Sequence, residues 1–209
     1  MPLYDFNGDC FVAYTDISGF KLLMKSGKAM QALDRLYTFG YEELLVQNDI
    51  CGMFVSDCGI LYTTGNDKAS QLDNLLQLLK KINVRMLKEG YMLTTAIAYG
   101  DFSYHERIEF SRIRKDPLYG NAYVEAYLDN EKESPKIQPG QCRIKKKYIN
   151  NELLQQLANR YLLRYKDGYY YFYWNLNDQR KIEEFEELYN NSYNLKYKGM
   201  EEALKKFIE

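Results

Sequence analysis

Two apolar runs near the N-terminus alternate with the period of strands, and each closes on an aspartate. The first is Cys10-Phe11-Val12-Ala13-Tyr14-Thr15-Asp16, continuing into Ile17-Ser18-Gly19-Phe20. The second is Gly52-Met53-Phe54-Val55-Ser56-Asp57, continuing into Cys58-Gly59-Ile60-Leu61-Tyr62. The pattern predicts a strand over 9–16 and a hairpin over 51–64. The hairpin strands are 51–55 and 60–64, with Ser56-Asp57-Cys58-Gly59 as the turn. Between them the period lengthens to that of a helix. Met30, Leu33, Leu36, Tyr37, Leu44 and Leu45 predict a helix over 28–47. Leu72, Leu75, Leu76, Leu79, Met86 and Leu87 predict a second over 69–89, stopped by Gly90.

A strand over 91–104, bent at Gly100, comes next. A charged segment over 106–116 leads to a short helix over 120–131, a strand near 141–145 and a helix over 150–159. Two further strands, 161–165 and 169–174, turn at Lys166-Asp167-Gly168. From 179 the chain reads as two charged helical segments. The expected domain runs over 1–178, with a helical extension over 179–209. The core order β-α-ββ-α-β is the ferredoxin-like split βαβ arrangement, an α+β fold with helices on an antiparallel-rich sheet. It sets the end of strand one beside the hairpin tip, so Asp16 and Asp57 should meet.

An Asp at the end of a buried strand is costly unless its charge is compensated. Two together offer paired oxygens to a hard divalent cation, which commonly handles nucleotide phosphates. Gly19 lets the backbone approach a ligand closely, and the turn Ser18-Gly19-Phe20 can aim N–H groups at phosphate.

Composition removes competing classes. The 209 residues are 46% apolar and 27% charged, which is globular. A net charge of −1 gives no field for nucleic acid. The four cysteines, Cys10, Cys51, Cys58 and Cys142, show no C-x-x-C spacing. With no signal peptide and no apolar run of membrane-spanning length, a reducing cytoplasm is expected. One histidine, His105, argues against a histidine-based triad or a histidine-rich metal site. The 21 tyrosines, clustered at Tyr169–Tyr171 and Tyr173, fit packing and strand propensity.

Asp16-Ile17-Ser18-Gly19-Phe20 and Ser56-Asp57-Cys58-Gly59 resemble the two metal motifs of class III nucleotidyl cyclases. Thr95-Ala96-Ile97-Ala98-Tyr99-Gly100 resembles the strand that follows them. Gly120-Asn121-Ala122-Tyr123-Val124-Glu125-Ala126-Tyr127-Leu128 is similar to the next helix, in the Glu-Ala-Tyr form of the pyrimidine cyclases of bacterial antiphage (Pycsar) systems. Pro135-Lys136-Ile137 and Asp167-Gly168-Tyr169 match that group's ending.

The resemblance implies a cyclase that turns a nucleoside triphosphate into a 3′,5′-cyclic monophosphate and pyrophosphate. Two Mg²⁺ or Mn²⁺ ions would be held by Asp16, Asp57 and the carbonyl of Ile17. The site would be completed in a head-to-tail homodimer, and the product read by a downstream cyclic-nucleotide-sensing effector. Ser18, Gly19 and Phe20 would lie along the substrate. Arg112 and Arg114, in a basic stretch with Arg107 and Lys115, are candidates for the triphosphate.

The purine-cyclase pattern is broken in two places. Val124 and Leu128 stand where that pattern has an Asn and an Arg, leaving Asn121 and Tyr127 as the nearby substitutes. Met53 and Pro117 occupy the base-reading positions, with neither the Lys of adenine nor the Glu of guanine recognition at Met53. Thr94-Thr95 replaces the Arg-Gly that often opens the strand in the pyrimidine group. These departures favour UTP or CTP, with a purine cyclase or a nucleotide-binding pseudo-cyclase as alternatives. A cyclic-dinucleotide synthase expects an acidic doublet on the hairpin, which Ser56-Asp57-Cys58 does not supply.

Overall fold

The strict alternation after Cys10 sorts the first strand's side chains onto two faces. Phe11, Ala13 and Ile17 enter one core, while Cys10, Val12 and Tyr14 enter another on the opposite side. A computed structural model describes residues 5–105, 107–110, 113–115, 117–174, 176, 178–193, 201–202 and 204–206. In chain order the elements are β1 (Phe6–Ile17), α1 (Phe20–Lys25), α2 (Ala29–Leu45), β2 (Ile50–Val55), β3 (Cys58–Thr63), α3 (Lys68–Lys88) and β4 (Leu93–Tyr104). Then follow β5 (Arg107–Phe110), β6 (Ile113–Lys115), β7 (Leu118–Tyr119), α4 (Asn121–Asn130) and β8 (Cys142–Lys145). The last are α5 (Asn151–Ala158), β9 (Leu163–Lys166), β10 (Tyr169–Phe172) and α6 (Ile182–Tyr193).

The main sheet runs β2-β3-β1-β4-β8-β10-β9, with β7 added to β4. Its first four strands are antiparallel in the ferredoxin-like order, and β8 joins β4 in parallel. This is the α+β fold read from the sequence. Helices α2, α3 and α5 cover one face, and α4 packs on the other. Helix α3 buries Leu72, Leu75, Leu76, Leu79, Ile82 and Met86 and is capped by Asp67, which accepts from the Ser70 N–H at 2.8 Å.

Several local expectations need correction. Helix α2 buries Ala32, Leu36, Phe39 and Gly40, while Met30, Tyr37 and Leu45 are exposed. The six-residue α1 precedes it. Gly40 is inside because the Phe54 ring packs where a β-carbon would stand, 2.2 Å from the nearest ring atom. The charged segment before Pro117 forms a separate hairpin, β5–β6, with Arg107 opposite Lys115. The hairpin β2–β3 turns through two residues, since Val55 already pairs with Cys58. Beyond Gln179, α6 buries Ile182 and Phe185 with Leu204 against Tyr169, Tyr171 and Tyr173.

Strand β8 carries a charge that alternation alone places on a solvent face. Arg143 is fully buried. Its guanidinium donates to the Asp129 carboxylate at 3.0 and 3.2 Å, to the Asp129 carbonyl, to the Pro135 carbonyl and to the Tyr171 hydroxyl. The Tyr169 ring stacks on it at 4.2 Å. This set ties the end of α4 to β8 and β10.

Removing one member strands a buried charge. Arg143→Met is therefore expected to cost about 3–5 kcal/mol in urea unfolding, and adding Asp129→Leu should restore part of that loss.

Candidate active site

Asp16 is the last even-numbered residue of β1, so it shares the α4 face with Tyr14. Asp57 lies in the two-residue turn of the hairpin, and Asp16 pairs across the ladder with Cys58. The two carboxyls come within hydrogen-bonding reach of each other. Backbone contacts fix the meeting. The Ile17 N–H donates to the Asp57 carbonyl at 3.0 Å, and the Ser18 N–H to the Met92 carbonyl at 2.9 Å. The Tyr37 hydroxyl donates to the Ser56 carbonyl at 2.8 Å, and Ser56 takes the left-handed conformation with φ 54°.

The charges here are all negative. Burial, then the charges of Asp57 and Glu131, then the hydrogen bond with Asp57, push the Asp16 carboxyl from 3.8 up to about 7. The Cys58 thiol donates to the Val55 carbonyl at 3.0 Å, and burial, then the neighbouring Cys58, hold the Tyr14 phenol above its usual value. Burial also holds the Cys58 thiol high. Among the residues whose side chains are described, which excludes those of 106–116, no lysine or arginine pairs with Asp16 or Asp57. The Ser18 hydroxyl is buried with no hydrogen-bond partner. Two hard carboxylate donors pressed together without a counter-charge fit a hard divalent cation. No group of three or more metal-binding side chains occurs among the described residues, so the protein's share would be these two carboxylates and backbone oxygen.

The remaining sequence candidates divide by position. Gly19, φ 75°, is exposed at the start of α1. Phe20 is 9% exposed and belongs to the core, and Ile17 is buried there too. Met53 is half-buried opposite Ile60, in the row that continues through Tyr14. Tyr127 reaches the same row, its ring 5.4 Å from that of Tyr14 and edge-on to it. Asn121 does not. Its amide donates to the Asp101 carboxylate at 2.6 Å. About 15 Å of helix separate it from Glu131, the α4 cap whose charge reaches Asp16. Pro117 lies between β6 and β7, its carbonyl accepting from the His105 N–H. Arg112 lies outside the described residues. Of Arg114 the backbone is described, in β6.

Four contributors escape sequence reasoning: Glu131, Tyr14 beside Cys58, Tyr37 and Met92. Only Tyr14 carries a local signal, since period two sets it on the face of Asp16. A cleft of about 640 Å³ lies between α3 and α5 and is lined by Lys68, Asp73, Tyr148, Leu153 and Arg160, not by the acidic pair.

The sequence matches no protein-family model and no curated protein. Solved structures resemble it in fold. The catalytic core of a rhodopsin-guanylyl cyclase with converted specificity, solved with ATPαS, superposes with a TM-score of 0.60 at 13% identity, covering 80% of this chain and 97% of that one. The adenylyl cyclase CyaB from P. aeruginosa gives 0.57 at 15% identity, covering 86% and 100%. The guanylate cyclase domain of RhGC from Catenaria anguillulae, solved with GTP, gives 0.58 at 12% identity, covering 81% and 98%. The fold is that of the class III nucleotide cyclase catalytic domains. At these identities the likeness extends to architecture, and the chemistry rests on the residues above.

A raised carboxyl opposes folding once it ionises. For Asp16 the penalty is absent below its ordinary 3.8, grows as pH rises, and is complete above about 7. Asp16→Asn should therefore match the metal-free wild type in thermal stability near pH 4 and exceed it increasingly up to pH 8. Parallel thermal melts across that range check this; equal stability at both ends contradicts it.

Proposed function

We propose that the chain is a metal-dependent nucleotide cyclase, converting a nucleoside triphosphate, UTP or CTP in preference, to its 3′,5′-cyclic monophosphate and pyrophosphate. The observation that carries this reading is the approach of Asp16 and Asp57 to each other, with no basic partner for either among the described side chains. Asp16, Asp57 and the Ile17 carbonyl would hold two Mg²⁺ or Mn²⁺ ions. When bound, the ions would neutralise the triphosphate and lower the cost of ionising the ribose 3′-hydroxyl. The 3′-oxygen forms a bond to the α-phosphorus as the bond to the β-phosphate oxygen breaks, and the hydroxyl proton is lost to solvent.

The chain's own part is positioning. The Ile17–Asp57 and Tyr37–Ser56 bonds fix the two carboxylates relative to each other. Gly19 allows close backbone approach at the exposed end of the same segment. Met53 stands where the purine pattern has the Lys of adenine or the Glu of guanine recognition, and the loss of that pattern favours a pyrimidine. The purine alternative has its own support: the similar structures were solved with ATPαS and GTP. A nucleotide-binding pseudo-cyclase is the remaining alternative.

A homodimer is part of the reading. Val124, Tyr127 and Leu128 form an exposed apolar stripe along α4. Asn121 and Pro117 do not converge on the acidic pair within one subunit, so a second copy would supply what one lacks. We assign the product a signalling role in antiphage defence, read by a cyclic-nucleotide-sensing effector. The extension beyond 178 would be an appendage of the catalytic domain rather than part of its chemistry.

Incubation with an equimolar mixture of the four nucleoside triphosphates and Mn²⁺ should yield a cyclic pyrimidine monophosphate by chromatography. A purely purine product overturns the pyrimidine assignment and leaves the cyclase. Asp57→Ala should lose at least about 100-fold in rate while unfolding near the wild-type temperature. Wild-type turnover by that variant would refute the metal assignment.

A further inference from the structure

The corner between α1 and α2 has a surface unlike its surroundings. From Ile17 to Leu33 the chain carries Lys21, Lys25 and Lys28 and no acidic residue, in a protein of net charge −1. All three lysines are exposed, and none pairs with a carboxylate among the described residues. Elsewhere Arg35, Lys81, Arg85, Lys145 and Arg164 each hold one. Between the lysines stand Leu22, Met24 and Met30, exposed by 61, 55 and 77%.

The corner is anchored and convex. Phe20, Leu23 and Ala29 fasten it to the core. At its tip Gly27 has φ 73°, and a side chain placed there would touch nothing within 4 Å. Protein partners are usually gripped by aromatic and arginine anchors seated in pockets, and the corner has neither. Exposed leucine and methionine side chains ringed by lysines suit a different occupant. Lysine stems can lie along an apolar layer while their ammonium groups stay in the polar zone. Each lysine near an anionic bilayer adds to the attraction.

We infer that the α1–α2 corner docks the protein on an anionic phospholipid surface, with Leu22, Met24 and Met30 entering the headgroup layer and Lys21, Lys25 and Lys28 meeting lipid phosphates. Attachment of this kind needs no spanning helix, and no helix among the described residues is long and apolar enough to cross a membrane. The inference is independent of the nucleotide reading.

Flotation with vesicles tests it. The full chain should rise with phosphatidylglycerol-containing vesicles at low salt, stay behind with phosphatidylcholine alone, and be released by high salt. The triple variant K21E/K25E/K28E should lower the partition coefficient about 100-fold. Leu22→Asp with Met30→Asp should also lose flotation. The control K136E/K166E/K181E makes the same charge change at exposed lysines outside the corner and should float like the wild type; circular dichroism verifies that all variants fold. Failure of the folded wild type to float overturns the inference, as does an equal loss in the control. Corner variants that float normally but sediment as monomers where the wild type is a dimer would give the patch to a second copy and overturn it too.

Discussion

Two carboxyl groups of like charge are held against each other at one end of an antiparallel sheet, and most of the surrounding structure serves to keep them there. Left to themselves, Asp16 and Asp57 would separate or share a proton; burial first, and the charge of Asp57 after it, raise the Asp16 carboxyl. The opposing force is backbone geometry. Ile17 and Asp57 are joined through N–H and carbonyl, Met92 holds Ser18, and Tyr37 holds Ser56 in its left-handed turn. None of these bonds uses the carboxylates, so both remain available to a cation.

Helix α4 is the second part of the arrangement. It runs along β1 so that Tyr127 meets Tyr14 and the Glu131 cap adds its field to Asp16. Its position is set from the far side. Glu125 gathers Lys145, Lys147 and Tyr148; burial works against its charge, but those bonds outweigh it and hold the carboxyl at about 2. Arg143 clamps Asp129 one turn later. At the other end Gly120 lets the chain cross β4 closely: a β-carbon there would stand 2.3 Å from the Asp101 carbonyl oxygen. The clamps fix both ends of α4, while Val124 and Leu128 on its outward face stay exposed.

How much of this could be read from the sequence follows from which forces are local. Alternation around Asp16, the hairpin around Asp57 and the leucine stripe of α3 depend on near neighbours, so period and turn chemistry disclose them. The Asp167-Gly168 turn was equally plain, and both residues take positive φ. Arg143 was not legible, because its strand is covered on both faces by elements distant in sequence. The run from Lys145 to Lys147 looks like a solvated stretch until Glu125 is brought to it by α4. The β5–β6 hairpin hides in a charged segment with no clear period. At the site, the pairing of Asp16 with Asp57 followed from topology alone, whereas Glu131, Tyr37 and Met92 reach it only through packing.

The most direct test of the account is Mn²⁺ binding, measured by electron paramagnetic resonance on the full chain with a nucleoside triphosphate analogue lacking the 3′-hydroxyl. The account predicts two Mn²⁺ ions per bound nucleotide in the wild type, and loss of both from the protein when Asp16 and Asp57 are replaced together by Asn. Undiminished Mn²⁺ binding by that double variant would contradict it.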